Sequence, residues 1–214
     1  ELIGGKVHNK LRSYTYLYPK NANGDYDYEC PDLAVECALM NMEQGFTALK
    51  FDPAGPYSIY SGHQISLSSL SKCETFCKKI RDAVGDRCDL LFGTHGQMTP
   101  ASAIRLAKRL EPFDPLWFEE PVPPGQPDAM ADVASKTSIP IATGERLTTK
   151  YEFHDVLKHK AASIIQMNLG RVGGILEAKK IASLAEVYYC QIAPHLYNGP
   201  VGAAASIQLA TATP

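Results

Sequence analysis

No run of apolar residues in this chain approaches the roughly 18 needed to span a bilayer. No block of Lys and Arg is present, and no basic stripe interleaved with aromatic residues. The formal net charge of −2 at pH 7 offers a polyanion little to hold. A membrane span and a nucleic-acid partner are therefore not expected. No signal-peptide pattern is visible in these residues, so a secretory leader is not expected. Cys30, Cys37, Cys73, Cys77, Cys88 and Cys190 form no C-x-x-C pair. The sequence thus predicts reduced thiols of a cytoplasmic protein rather than a disulfide or zinc framework. Cys73 and Cys77 lie four apart and share a helix face, which alone is not a metal site. A G-x-G-x-x-G phosphate loop is also missing; GRVGG at 170–174 has the glycines at the wrong spacing. Nor does the chain open on Met: it begins ELIGGKVHNK and closes QLATATP, in a helix that leads toward another strand. Both ends read as cut from a longer protein.

What is present is an alternation. Of 214 residues, 45% are hydrophobic and 21% charged, an ordinary globular composition sufficient for one large domain or two small ones. Strand-like runs occur at 10–18, 47–52, 89–93, 116–120, 139–145, 163–168 and 189–195. Several are apolar on both faces, as in a parallel sheet covered by helices. Helices are predicted at Pro31–Gln44, Ser68–Val84, Thr99 to about Leu110, 126–136, 150–159, 173–187 and 202–211. Gly45 and Gly85 act as stops, and Thr99-Pro100 as a cap with a first-turn proline. The segment 53–67 reads as a long loop, a lid or an oligomer contact.

Seven βα units of this kind form either an open doubly wound sheet or a barrel. Polar residues decide between them. Lys50, Asp52, His95, Glu119, Glu145, Asn168 and His195 fall at strand ends, and from His95 onward they recur after 24, 26, 23 and 27 residues, one βα unit each time. An open sheet gathers its site at one switch point. Polar ends on consecutive strands describe the C-terminal face of a TIM-type (β/α) barrel. Residues 1–214 are thus expected to form one partial barrel domain of about seven units, with its last strand beyond Pro214.

Glu119 and Glu145 end adjacent strands and suit a hard divalent cation such as Mg²⁺, or else are salt-bridged strand-end acids. Glu120 alternates to the opposite face, in a structural contact or in support of the groups at the site. Arg146 suits either Glu120 or a substrate carboxylate. Lys50 and Asp52 point the same way; Lys50 serves to polarise a substrate, to act as a base, or simply to neutralise barrel carboxylates. His195 is a candidate general base oriented by Asn168, and His95 is a candidate of the same kind. His8, His63, His154 and His159 read as surface or loop residues.

LWFEEPVPP, IPIATGERLTTKYEF, IIQMNLGRVGGILEAKKIASLAE and IAPHLYNGP strongly resemble the mandelate racemase subgroup of the enolase superfamily, and within it galactonate-dehydratase-like sugar-acid dehydratases. The resemblance covers almost the whole chain and is far more specific for fold than for substrate. It implies an N-terminal α+β capping domain, absent from this stretch, and a modified (β/α)₈ barrel. It further implies Mg²⁺ held by carboxylates of the third, fourth and fifth strands, and removal of a proton α to a carboxylate. Carried over, Glu119 and Glu145 match the fourth- and fifth-strand metal ligands. Lys50 matches the first Lys of a K-x-K pattern, His195 the seventh-strand base, and His95 the acid of a D-x-H pattern.

Three positions depart from the family. Gly93 stands where D-x-H has its metal-binding Asp. Asn168 stands where the His–Asp dyad has its Asp. Asp52 replaces the second Lys of K-x-K. With Gly93 supplying no oxygen, the metal loses a ligand, recruits water, or recruits His95, which, two residues on along the strand, faces the same way and does not easily serve as both ligand and acid. The expected activity is that of an acid-sugar dehydratase, a carbon–oxygen lyase acting on a small sugar acid to give a 2-keto-3-deoxy acid, in a homo-oligomer. The alternatives are a racemase or epimerase of hydroxy acids, and a catalytically degraded barrel with a binding or structural role.

Overall fold

A computed structural model describes residues 3–54 and 64–214. His63 and most of the 53–67 loop, assigned above as lid or oligomer contact, lie outside the described residues. The chain divides into two compact units. One comprises Ser13–Pro123 with Lys136–Ile139; the other comprises Glu1–Arg12, Pro124–Ser135 and Pro140–Pro214.

The first unit runs β1 (Thr15–Tyr16), α1 (Pro31–Glu43), β2 (Ala48–Phe51), α2 (Leu67–Val84), β3 (Asp89–Gly93), α3 (Pro100–Leu110) and β4 (Trp117–Glu119). Its four strands pair in parallel in chain order. Leu49, Leu90, Leu91, Phe92 and Phe118 are fully buried. Each such side chain contributes about 1.5–3 kcal/mol through burial. The helices start where local chemistry directs. Pro31 and Pro100 occupy first turns, and the hydroxyls of Ser66 and Thr99 accept the amides of Ser69 and Ser102. α2 turns Leu70, Cys73, Cys77, Ile80 and Val84 inward. Burial, and then the neighbouring Cys73, push the Cys77 thiol well above its ordinary range. The six cysteines are thiols, none of them in a disulfide.

The second unit runs α4 (Pro127–Ala134), β5 (Ile141–Thr143), α5 (Lys150–Lys158), β6 (Ile164–Ile165), α6 (Ile175–Val187), β7 (Gln191–Ile192) and α7 (Pro200–Thr211). β5, β6 and β7 are again parallel in order. A capping box opens α5: Thr149 accepts from the Glu152 amide while the Glu152 carboxylate accepts from the Thr149 amide. Among the described residues no helix is long and apolar enough to cross a membrane.

Only β3 has the predicted length. The other strands are shorter than their apolar runs, because apolarity reports burial and continues past the last regular pair. Of the predicted polar strand ends, only Lys50 and Glu119 lie within strands. Asp52, His95, Glu145, Asn168 and His195 follow in the next few residues. The backbone remains tied there: the amides of Ala193 and His195 donate to the carbonyls of Ile165 and Met167 at 3.0 and 3.1 Å. That ladder carries His195 alongside Asn168.

Candidate functional site

Each unit gathers a polar cluster at the C-terminal ends of its strands. In the first unit Glu119 is completely buried. Its Oε1 accepts from Lys50 Nζ at 2.6 Å and its Oε2 from Trp117 Nε1 at 3.2 Å. Lys50 is itself 6% exposed. Its ammonium lies 5.8 Å from the centroid of the Tyr14 ring, within cation–π range, and Tyr14 packs edge-on against Trp117. Of the three roles weighed for Lys50, neutralising a carboxylate is the one the geometry displays. Gly93 is the register partner of Glu119, and a Cβ built on it would lie 2.3 Å from Lys50 Cε. The lysine therefore crosses strand β3 only because residue 93 has no side chain.

Glu120 does not simply alternate to the opposite face. It lies just past β4 with φ of 37°, a left-handed conformation that costs about 1–3 kcal/mol in a non-glycine residue. Its carbonyl accepts from the Gly96 amide at 2.7 Å and from Thr94 Oγ1 at 3.1 Å. These bonds lock the turn that follows β3. His95 belongs to this turn, so the strand alternation invoked to aim it with residue 93 does not reach it. Its side chain is 53% exposed, with Nδ1 4.0 Å from Asp52 Oδ2. Gln97, which the sequence reading passed over, organises the group: its Oε1 accepts the His95 amide at 2.5 Å and its Nε2 donates to Asp52 Oδ2 at 3.0 Å. Asp52 Oδ1 also accepts the Ala54 amide at 2.9 Å. Burial, and then the Asp52 charge, raise the phenol of Tyr16 above its ordinary range.

In the second unit the cluster is built on His195. Its Nε2 lies 3.1 Å from Glu145 Oε2, and its Nδ1 lies 2.9 Å from Asn168 Nδ2. The side chains of His195 and Glu145 are 17% and 13% exposed, and Asn168 is 2% exposed. Gly144 sets the approach of Glu145. It has φ of 135°, and a Cβ there would meet Phe153 Cε1 at 2.7 Å and the Gln166 backbone at 3.1 Å. Asn168 Oδ1 accepts the Gly170 amide at 2.9 Å and Asn198 Nδ2 at 3.1 Å. A backbone N–H only donates, so Oδ1 must face Gly170 and the NH₂ must face His195. The amide therefore donates to Nδ1, and the neutral ring carries its proton on Nε2, directed at Glu145. A carboxylate at position 168 would do the reverse, holding Nδ1–H and leaving Nε2 free as a base. Gln166 adds a feature the sequence did not reveal: its amide is buried, and among the described residues neither polar atom has a hydrogen-bond partner.

Among the described residues no group of three or more His, Cys, Asp or Glu side chains is arranged to hold a metal ion. Glu119 and Glu145 nonetheless have the hard carboxylate oxygens that Mg²⁺ prefers, and Mg²⁺ commonly takes one or two protein carboxylates and keeps water for the rest. The donor chemistry fits; Gly93 contributes nothing to it.

Parallel strands, covering helices and polar residues gathered beyond the C-terminal strand ends define the TIM-type (β/α) barrel class. The enolase C-terminal domain-like family model matches residues 32–214, and the chain belongs to that family. The D-xylonate dehydratase of Haloferax volcanii is 35% identical over the whole chain, which covers 52% of that relative. The D-gluconate dehydratase of Thermoproteus tenax is also 35% identical over the whole chain, which covers 41% of it. The chain thus spans about half the length of the curated relatives it matches. Among solved structures, one from Burkholderia SAR-1 superposes with a TM-score of 0.97 at 74% identity, over all of this chain and 53% of its own. A mandelate racemase/muconate lactonizing enzyme from Sulfitobacter sp superposes with a TM-score of 0.94 at 55% identity, over all of this chain and 54% of its own.

Proposed function

We propose that this chain is part of a Mg²⁺-dependent sugar-acid dehydratase. It removes the proton α to a carboxylate and eliminates the β-hydroxyl, giving a 2-keto-3-deoxy acid. The observation that carries this reading is the His195 cluster. A largely buried imidazole is oriented by Asn168 on one side and faces Glu145 on the other, in a chain whose relatives include D-xylonate and D-gluconate dehydratases. Glu119 and Glu145 are the groups that would hold the cation. When bound, it supplies positive charge for the substrate carboxylate.

The chain's own residues move the protons. In the first reading His195 takes the α-proton at Nε2 and His95 protonates the departing hydroxyl. That role requires the Asn168 amide to turn, so that Oδ1 accepts Nδ1–H and Nε2 is freed. Turning it gives up the bonds from Gly170 and Asn198, and the Gly170 amide left unpaired alone costs about 1–3 kcal/mol. The observed orientation of Asn168 favours a second reading, in which His195 donates its Nε2 proton to the leaving hydroxyl and His95 removes the α-proton.

The test screens the full-length protein against acid sugars with Mg²⁺, detecting 2-keto acids. Absence of product from every acid sugar refutes the dehydratase. His195→Asn then separates the two readings through exchange of the substrate α-hydrogen with D₂O. As base, His195 is needed for exchange and elimination alike. As acid, it is needed for elimination while exchange persists. General acid or base groups of this kind contribute on the order of 10²–10⁴-fold.

A further inference from the structure

We propose that Lys50 is a built-in counter-cation for Glu119, that a divalent cation must displace it to reach that carboxylate, and that Gly93 is the residue that makes room for it. This inference rests on Glu119 as a metal ligand, as read above.

Three observations carry it. Lys50 Nζ sits 2.6 Å from Glu119 Oε1, with both residues buried. The other carboxylate oxygen is taken by Trp117 Nε1, so neither is left uncommitted. The path of the lysine runs across Gly93: a Cβ there would lie 2.3, 3.0 and 3.2 Å from Lys50 Cε, Cγ and Cδ. Those distances lie inside contact, and any side chain at 93 excludes this lysine conformation. Residue 93 is also the register partner of Glu119. A carboxylate at 93 would stand beside Glu119 as a second acid; the glycine admits an ammonium instead. One position therefore exchanges a negative metal ligand for access by a positive neighbour.

The consequence follows from charge. A carboxylate shut away from water is costly unless it is paired, and the ammonium provides that pairing. An ammonium and a divalent cation on one carboxylate repel each other strongly in a poorly screened interior. The cation gains Glu119 only as Lys50 leaves it. Mg²⁺ affinity is thereby weakened by the lysine, and the carboxylate remains neutralised when no ion is bound.

The test is calorimetric titration of the full-length protein with MgCl₂, which needs no turnover. Lys50→Met removes the competitor and should tighten Mg²⁺ binding about tenfold or more. Gly93→Ala should expel the lysine from its groove and tighten binding at least threefold. Gly93→Asp also adds a ligand and should exceed both. Unchanged or weaker binding in Lys50→Met or Gly93→Ala, with a native circular dichroism spectrum, overturns the proposal. Should those variants fail to fold, ¹⁵N-lysine NMR of the wild type decides. The Lys50 ammonium should lose its protection from solvent exchange at saturating Mg²⁺; persistence of a protected ammonium overturns the proposal. Glu119→Gln locates any failure. If it abolishes Mg²⁺ binding, Glu119 is a ligand and only the displacement is wrong. If it binds Mg²⁺ like the wild type, the ligand reading falls together with the inference.

Discussion

Replacing Asn168 with Asp should change where a proton resides while leaving the stability of the fold nearly untouched. Asn168 Oδ1 already accepts from the Gly170 amide and from Asn198. Both bonds survive in the variant and become charge-assisted, rising from about 0.5–1.5 to about 1.5–3 kcal/mol each. Against this gain of roughly 2 kcal/mol stands the dehydration of a carboxylate at a position only 2% exposed, a penalty of several kcal/mol. The third contact repays most of that difference by reversing. The second carboxylate oxygen, 2.9 Å from His195 Nδ1 in the present geometry, accepts where the amide donated. The ring must then bear a proton on Nδ1. Unfolding free energy measured in urea should stay within about 1 kcal/mol of the wild type. The two-bond ¹H–¹⁵N pattern of ¹⁵N-labelled His195 should report protonation at Nε2 in the wild type and at Nδ1 in Asn168→Asp. A wild-type ring protonated at Nδ1, or a pattern unchanged by the substitution, refutes the argument that Gly170 fixes the amide and the amide fixes the imidazole.

Two further outcomes are expected. Gly144→Ala should destabilise the fold by at least about 2 kcal/mol in chemical denaturation, because it combines backbone strain at φ of 135° with a 2.7 Å clash against Phe153. Glu111 accepts the Ser138 amide and the Thr137 hydroxyl, which hold its carboxyl below the usual carboxylate range. Its contribution to stability is therefore complete above the unfolded value near 4.5 and is lost as pH falls through the lower folded value. In acid titrations followed by thermal melting, Glu111→Gln should lower the neutral plateau and flatten that part of the curve; an unchanged acid limb would refute the linkage.

The alternation of strand and helix was legible because local signals fix it: apolar runs, glycine stops, and first-turn prolines such as Pro31 and Pro100. Strand lengths were not, since Ile164 and Met167 are equally apolar while only Ile164 belongs to a regular pair. The positions of Glu119, Glu145, Asn168 and His195 could be read from spacing. Their partners could not. That Lys50 reaches Glu119 depends on a register between β2, β3 and β4 that no local pattern encodes. The role of Gln97 depends on a turn fastened by carbonyls of residues 119 and 120. The orientation of Asn168 depends on one backbone amide two residues away. The departures at 93 and 168 were visible as missing carboxylates; what replaced their function became readable only in three dimensions.

Trp117 is the only tryptophan of the 214 residues, and its indole N–H is bonded to Glu119. Indole emission responds to the charge and hydrogen bonding of its immediate neighbours. The chain thus carries an optical probe wired directly to the carboxylate for which Lys50 and a divalent cation compete. Exchange of an ammonium for a metal ion at Glu119 should register as a change in Trp117 fluorescence, in solution and without a label, on the timescale of the exchange itself.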